Sequence, residues 1–390
     1  IGSGLVGSEM CIRDRNNKNE RIMKTVKYVL VMLMTAGLGI FASCSDNENS
    51  CTPLSITRIS TVTDREQGLE VANLAQYIIV QGTGLDGVKS ILVNDVPVDM
   101  SNAYTTANEI TFPIPRVIPV EVNNLITLST ATESTTAPLS VFIPDLRVDG
   151  MYNEFTPAGG TMKIVGDFFD LYEITTESGQ LFFGDQEMDI IRAVQDTLYF
   201  NLPEDAIAGT KIKIVSPIAG ERLVPGRYYE RGNMLCDYDP YTGWGGNNYV
   251  NNGPVPEPIT GNYSRFKIAK EDAADWEWSG TVAIAQIGVN YWDDVKANQD
   301  NYQLKFEVNT LTALSKRQIR FFFEQINYDW EPFASGLAFK TNGEWQTISI
   351  DLNEVWKGDV PNTGTLQVMG NSFAEDTDIC FDNFRIVPKN

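Results

Sequence analysis

The chain contains no histidine. That excludes Ser-His-Asp and Cys-His nucleophilic arrangements and the usual zinc sites, and it removes the side chain best suited to proton transfer near neutral pH. Catalysis would have to run on carboxylates or tyrosine. Basic clusters are also missing beyond the N-terminus, and the formal net charge is −21. Nucleic acid is therefore excluded as a partner, because holding a phosphate backbone needs grouped Lys and Arg. Tryptophan is absent from the first 243 of the 390 residues. All seven, Trp244, Trp276, Trp278, Trp292, Trp330, Trp345 and Trp356, fall between Met234 and Asn390.

The remaining composition, 43 % apolar and 21 % charged, is that of an ordinary globular chain, long enough for two to three domains. The skewed tryptophans set the last part of the chain apart. They sit among Tyr, Asn, Asp and Gly in turn-like segments: Tyr-Thr-Gly-Trp-Gly-Gly-Asn-Asn-Tyr at 241–249, Asn-Tyr-Trp-Asp-Asp at 290–294 and Asn-Tyr-Asp-Trp-Glu-Pro at 327–332. Rigid aromatic faces beside hydrogen-bonding side chains suit a ligand with apolar C–H faces and polar edges, which is a carbohydrate.

Residues 1–22 do not read as natural protein: the string at 4–15 resembles translated sequencing-adapter sequence, and Met23 is the better start. From there Lys24 and Lys27, an apolar run from Tyr28 to Phe41, and Ala42-Ser43-Cys44 make a secretory signal over 23–43, too short to span a membrane comfortably. Phe41-Ala42-Ser43-Cys44 resembles a bacterial lipobox, which implies acylation of Cys44 and a tether over 44–52. Ser45-Asp46-Asn47-Glu48-Asn49 is similar to the signal that sends some lipoproteins to the outer face of the outer membrane. The expected location is the outer membrane, lipid-anchored and facing outward.

Between Pro53 and about Gly232, short alternating strands and turn signals recur, as in small antiparallel sandwiches. Tyr77-Ile78-Ile79-Val80-Gln81-Gly82 and the hairpin around Asn94-Asp95 return as Thr161-Met162-Lys163-Ile164-Val165-Gly166 and the hairpin around Gly184-Asp185. The repeat resembles the IPT/TIG family of immunoglobulin-like domains, over 53–145 and 146–228. Neither copy concentrates aromatic or charged residues, so both read as stiff spacers.

From 229 to 390 the pattern is eight or nine strands with almost no helical periodicity, predicted at about 263–269, 281–288, 302–309, 319–325, 335–340, 345–351, 365–369 and 378–387, after a first strand at 234–239. Asp378-Ile379-Cys380-Phe381-Asp382-Asn383-Phe384-Arg385-Ile386 resembles the last strand of carbohydrate-binding jelly rolls. The expected fold is all-β: two tandem Ig-like (IPT/TIG) sandwiches followed by a jelly-roll-like sandwich. With the lipobox, this order resembles the surface glycan-binding lipoproteins of Sus-like polysaccharide-utilisation systems. The resemblance implies non-catalytic capture of polysaccharide beside an outer-membrane transporter and its partner lipoprotein.

Sorting the rings leaves six candidate glycan contacts: Trp244, Trp292 and Trp330, with Tyr241, Tyr291 and Tyr328, placed on loops where binding residues concentrate. Trp345 alternates with Ile348 and Ile350 and belongs to the core, and Trp356 covers one end of the sandwich. Trp276 and Trp278 share one strand face, so both pack inside or both form a platform, with core favoured. A ring laid on a sugar removes about 60–80 Å² of apolar surface from water, worth about 1.5–2 kcal/mol gross. No cofactor is required, although Asp237, Asp239 and Asp382 are candidate calcium ligands on terminal strands. Cys236 and Cys380 either pair as a disulfide or stay as two buried thiols. Two other functions remain in view. One is an adhesin or scaffold that binds protein. The other is a jelly-roll glycoside hydrolase using two of Glu324, Glu331, Asp293 and Asp329.

Overall fold

The computed structural model describes residues 52–239, 249–268, 278–284, 292–317, 319–333, 336–362, 365–371 and 375–389. The leader, Cys44, Tyr241, Trp244, Trp276 and Tyr291 lie outside them. The architecture is all-β, organised around three apolar cores. Among the described residues no helix is long and apolar enough to cross a membrane.

The first core lies between a sheet ordered Ser55–Thr61, Tyr77–Thr83, Glu109–Pro113, Tyr104–Thr105 and one ordered Val96–Pro97, Ser90–Val93, Leu125–Ser129, Ser134–Pro138. The period of two explains the burial: Ile110 and Phe112 are fully enclosed while their strand neighbours are only partly covered. The second core repeats the plan, with Arg147–Met151, Thr161–Asp167, Thr197–Asn201, Arg192–Ala193 against Gln186–Met188, Gln180–Phe183, Ile212–Ser216, Gly220–Leu223.

The repeated glycine in the two phrases has a steric cause. At Gly82 a Cβ would stand 1.8 Å from the Ser55 carbonyl oxygen, and at Gly166 it would stand 2.1 Å from that of Arg147. Both lie where the register to the neighbouring strand shifts. The hairpins turn through left-handed residues at equivalent places, Asn94 at φ 57° and Gly184 at φ 62°.

The third core fills a sandwich. One sheet is six-stranded, ordered Val250–Asn251, Tyr263–Ile268, Thr377–Pro388, Tyr302–Thr310, Gln346–Asp351, with Met234–Cys236 also paired to Thr377–Pro388. The other is four-stranded, ordered Trp278–Ile284, Leu366–Asn371, Ile319–Phe323, Ile326–Trp330. A strand forms at Ile326–Trp330 instead of the one expected at 335–340, where the described residues, 336–340, hold an isolated Leu314–Phe339 bridge. The Asn-Tyr-Asp-Trp composition looks like a loop, but cross-strand pairing to Ile319–Phe323 holds it extended.

The outer face of the six-stranded sheet is covered by the second sandwich. Thr347 donates its backbone N–H to the Tyr152 carbonyl at 2.7 Å, and its hydroxyl accepts from the Glu154 N–H at 2.8 Å. Beneath them, Glu154 binds Lys305 and Arg385, and Arg385 makes a bidentate pair with Glu307 at 2.9 and 3.0 Å. All four side chains are buried, with two charges of each sign. That leaves the outer face of the four-stranded sheet as the broad face of this sandwich turned away from the junction.

Candidate functional site

Register places Trp330 opposite Ile319 and on the inward side of its strand. It is 3 % exposed and packs on Phe306, Phe321, Phe339 and Phe381. The expectation of a ligand platform at Trp330 is corrected: once the segment is a strand, its alternation sends the tryptophan into the core. Tyr328, two residues earlier, shares that inward side. Its ring stacks along Phe321, and its hydroxyl donates to Glu354 at 2.7 Å. Burial, reinforced by the Glu354 carboxylate, raises the phenol well above its ordinary range, so it stays a neutral donor.

Trp292 opens a short helix, Trp292–Ala297, rather than lying on a loop. It is half-buried, edge-on to Trp356 at 5.7 Å, and its indole N–H donates to the Asn362 carbonyl at 3.2 Å. Asn362 in turn donates from its backbone and side chain to Glu324, in the turn after the Ile319–Phe323 strand. This chain of contacts ties Trp292 to one end of the four-stranded sheet. Trp356 is fully buried in the helix Leu352–Trp356, and Trp345 is 9 % exposed, bonded to the Glu257 carbonyl and edge-on to Tyr263, so both are core rings.

The outward side of that sheet holds residues the sequence reading did not single out. Phe322 lies opposite Asn327 on one neighbouring strand and Gln367 on the other, and Arg320 lies opposite Asp329 and Met369. Phe322 and Met369 are half-buried and belong to no apolar cluster among the described residues. The Gln367 amide has no hydrogen-bond partner there, while Arg320 is held by both oxygens of Asp329. The result is an aromatic ring flanked by amides and a fixed guanidinium, on a strand next to the edge strand of the sheet. The signal was available: in Ile-Arg-Phe-Phe-Phe, Phe322 is out of phase with Ile319, Phe321 and Phe323.

The other candidates have partners or separate places. Asp237 is engaged by Arg231 and Asp239 by Asn262. Asp382 is fully buried, and burial with Glu307 nearby lifts its carboxyl well above the ordinary range. No group of three His, Cys, Asp or Glu side chains fit to hold a metal occurs among the described residues. Asp329 binds Arg320 and Arg317, Glu324 binds Asn362, Asp293 is exposed beside Lys296, and Glu331 is exposed, so the four acids form no mutual pair. The disulfide alternative is also corrected. Cys236 pairs with Phe384 and lies in the main core, whereas Cys380 lies with Tyr263 and Trp345 in a separate cluster. Four residues of strand, about 13 Å, part their positions, beyond the roughly 7 Å a bridge allows.

The C-terminal sandwich thus has one sheet docked on its neighbour and the other presenting an aromatic and amide face. Residues 228–388 match the model of the family described as the surface glycan-binding protein B xyloglucan binding domain. That family is a binding domain and not an enzyme, and the resemblance read from the sequence holds over these residues. Among solved structures, the surface glycan-binding protein PbSGBP-B of Prevotella bryantii aligns at a TM-score of 0.50 and 20 % identity, over 86 % of this chain and 98 % of its own. At that identity the likeness carries the fold alone. SGBP-B from a complex xyloglucan utilization locus in Bacteroides uniformis aligns at 0.47 and 18 %, over 85 % and 99 %. No curated protein matches the chain.

Proposed function

We propose that this protein binds polysaccharide without cleaving it, holding a β-glucan of the xyloglucan type across the outer face of the four-stranded sheet. The observation that carries this reading is the family match over 228–388, the domain whose outward sheet face presents Phe322 between Asn327 and Gln367. A pyranose face on the Phe322 ring contributes about 1.5–2 kcal/mol, the amides bind hydroxyls, and Trp292 extends the surface at the sheet's end. Several such contacts in a row suit a repeating polymer, because weak sites on one chain add through local concentration.

Acylation at Cys44 would tether the protein to the outer membrane, and the two N-terminal sandwiches would hold the binding domain away from it, facing an outer-membrane transporter and its partner lipoprotein. The buried charges between the second sandwich and the binding domain support a stiff spacer. Affinity electrophoresis against xyloglucan, mixed-linkage glucan and unrelated neutral polysaccharides tests the reading. Retardation by β-glucan without release of reducing sugar is the expected result, and migration unaffected by every polymer would refute it.

A further inference from the structure

The junction between the second sandwich and the C-terminal domain encloses a cleft of about 440 Å³. That volume lies within the range of small-molecule sites, about 300–1,000 Å³. Its floor is the outer face of the six-stranded sheet. Lys305 pairs with Ser349 and Gln303 with Asp351 in the strand register, so Gln303 and Ser349 project on the same side. The facing wall mixes apolar groups, Met151, Val165 and Pro225, with Asp149, Glu154 and Tyr152, and Tyr152 borders both this cleft and a smaller one of about 180 Å³.

Four polar side chains here have no hydrogen-bond partner among the described residues: the Gln303 and Gln346 amides, the Ser349 hydroxyl and the Tyr152 phenol. The charged groups, by contrast, are already matched. Lys305 is paired with Glu154 inside the network, and Asp149 with Arg147 at 3.0 Å. Burial, with Glu344 adding to it, pushes the Tyr152 phenol up to about 12, so it is a neutral donor over the physiological range. With these charges matched, free neutral donors and acceptors beside Met151, Val165 and Pro225 select for neither an anion nor a cation. They fit a neutral polyhydroxylated ring.

We propose that this interdomain cleft is a second sugar site, taking one or two residues of a neutral glycan, such as a chain end or a side branch, independently of the outer sheet face. The inference rests on the glycan-binding reading above and places one subsite where two domains meet. Because a buried ion network fixes these domains, the cleft is preformed and binding there needs no domain closure.

The test is calorimetric titration of the full mature chain with a xylogluco-oligosaccharide, using wild type, Phe322→Ala, Ser349→Trp and Gln303→Ala. Ser349 is exposed, so the tryptophan fills the cleft without entering the core, and Gln303→Ala removes a cleft contact without adding bulk. Two sites are expected in wild type. Phe322→Ala weakens one at least tenfold, Ser349→Trp abolishes the other, and Gln303→Ala weakens that other severalfold. Wild-type binding that is unchanged in both Ser349→Trp and Gln303→Ala overturns the cleft site and leaves the sheet site standing. Failure of wild type to bind overturns both.

Discussion

Glu154 and Arg385, 231 positions apart in the chain, meet at 2.8 Å inside the protein, with the Arg385 guanidinium also 4.9 Å from the Phe155 ring centre. One carboxylate of the second sandwich thus serves two buried cations of the C-terminal domain, Arg385 and Lys305. A junction built this way resists small hinge motions, because they would break the Glu154 contacts to Lys305 and Arg385 before water could replace them.

Glu154→Ala leaves the buried Lys305 without its ion-pair partner and Arg385 bonded to Glu307 alone among the carboxylates. The expected cost is about 3–5 kcal/mol, the range for breaking a buried pair from one side. Urea unfolding of the variant measures it. A midpoint equal to that of wild type would show that solvent reaches these groups.

Asp382 carries the opposite burden. Its carboxyl is raised by burial and by Glu307, so the folded state holds a proton that the unfolded chain releases once pH passes its ordinary value of 3.8. Stability is therefore lost as pH rises from there toward the folded-state value. Asp382→Asn keeps an oxygen for the Asn383 N–H and removes that loss. The variant should melt at a higher temperature than wild type at pH 7 and match it near pH 3. A lower melting temperature at neutral pH would mean that the ionised carboxylate is needed, as calcium coordination with Asp237 and Asp239 would require.

Gly82→Ala and Gly166→Ala each drive a methyl into a carbonyl oxygen of the adjacent strand, at about 1–3 kcal/mol apiece. Gly68→Ala, with nothing within 4 Å, is the control and should be nearly neutral. Thermal melts of the three compare them directly. Equal melting temperatures would remove the steric explanation for the repeated glycine.

Burial lifts the Cys236 thiol to about 12 and the Cys380 thiol further still, and the two lie in different clusters. Both should be unreactive toward a thiol reagent in the folded protein and reactive in denaturant, and a reductant should leave the melting temperature unchanged. A drop in melting temperature on reduction would contradict the register of the terminal strands.

The strands, the repeat and its glycines could be read from the sequence because alternation and turn residues are local signals. Trp330 could not, since Asn327, Asp329 and Pro332 argue for a loop and only pairing with Ile319–Phe323 makes the segment a strand and turns the ring inward. Phe322 was hidden for the converse reason: three consecutive phenylalanines look like core, and only register shows that the middle one faces outward. The Glu154 network joins residues far apart in the chain and has no local signature. Strand spacing assigns Trp345 to the core and helical spacing puts Trp356 over one end of the sandwich; Trp345 is enclosed, and Trp356 is fully buried in the main core.

The most direct measurement is affinity electrophoresis in xyloglucan of wild type beside Phe322→Ala and Trp330→Ala, with a thermal melt of each. Phe322→Ala should lose retardation by about tenfold in affinity, a loss of about 1.5 kcal/mol, while melting like wild type. Trp330→Ala should melt far lower, at a cost of about 3–5 kcal/mol in folding. Full retardation of a folded Phe322→Ala would contradict the assignment of the glycan to the outer sheet face.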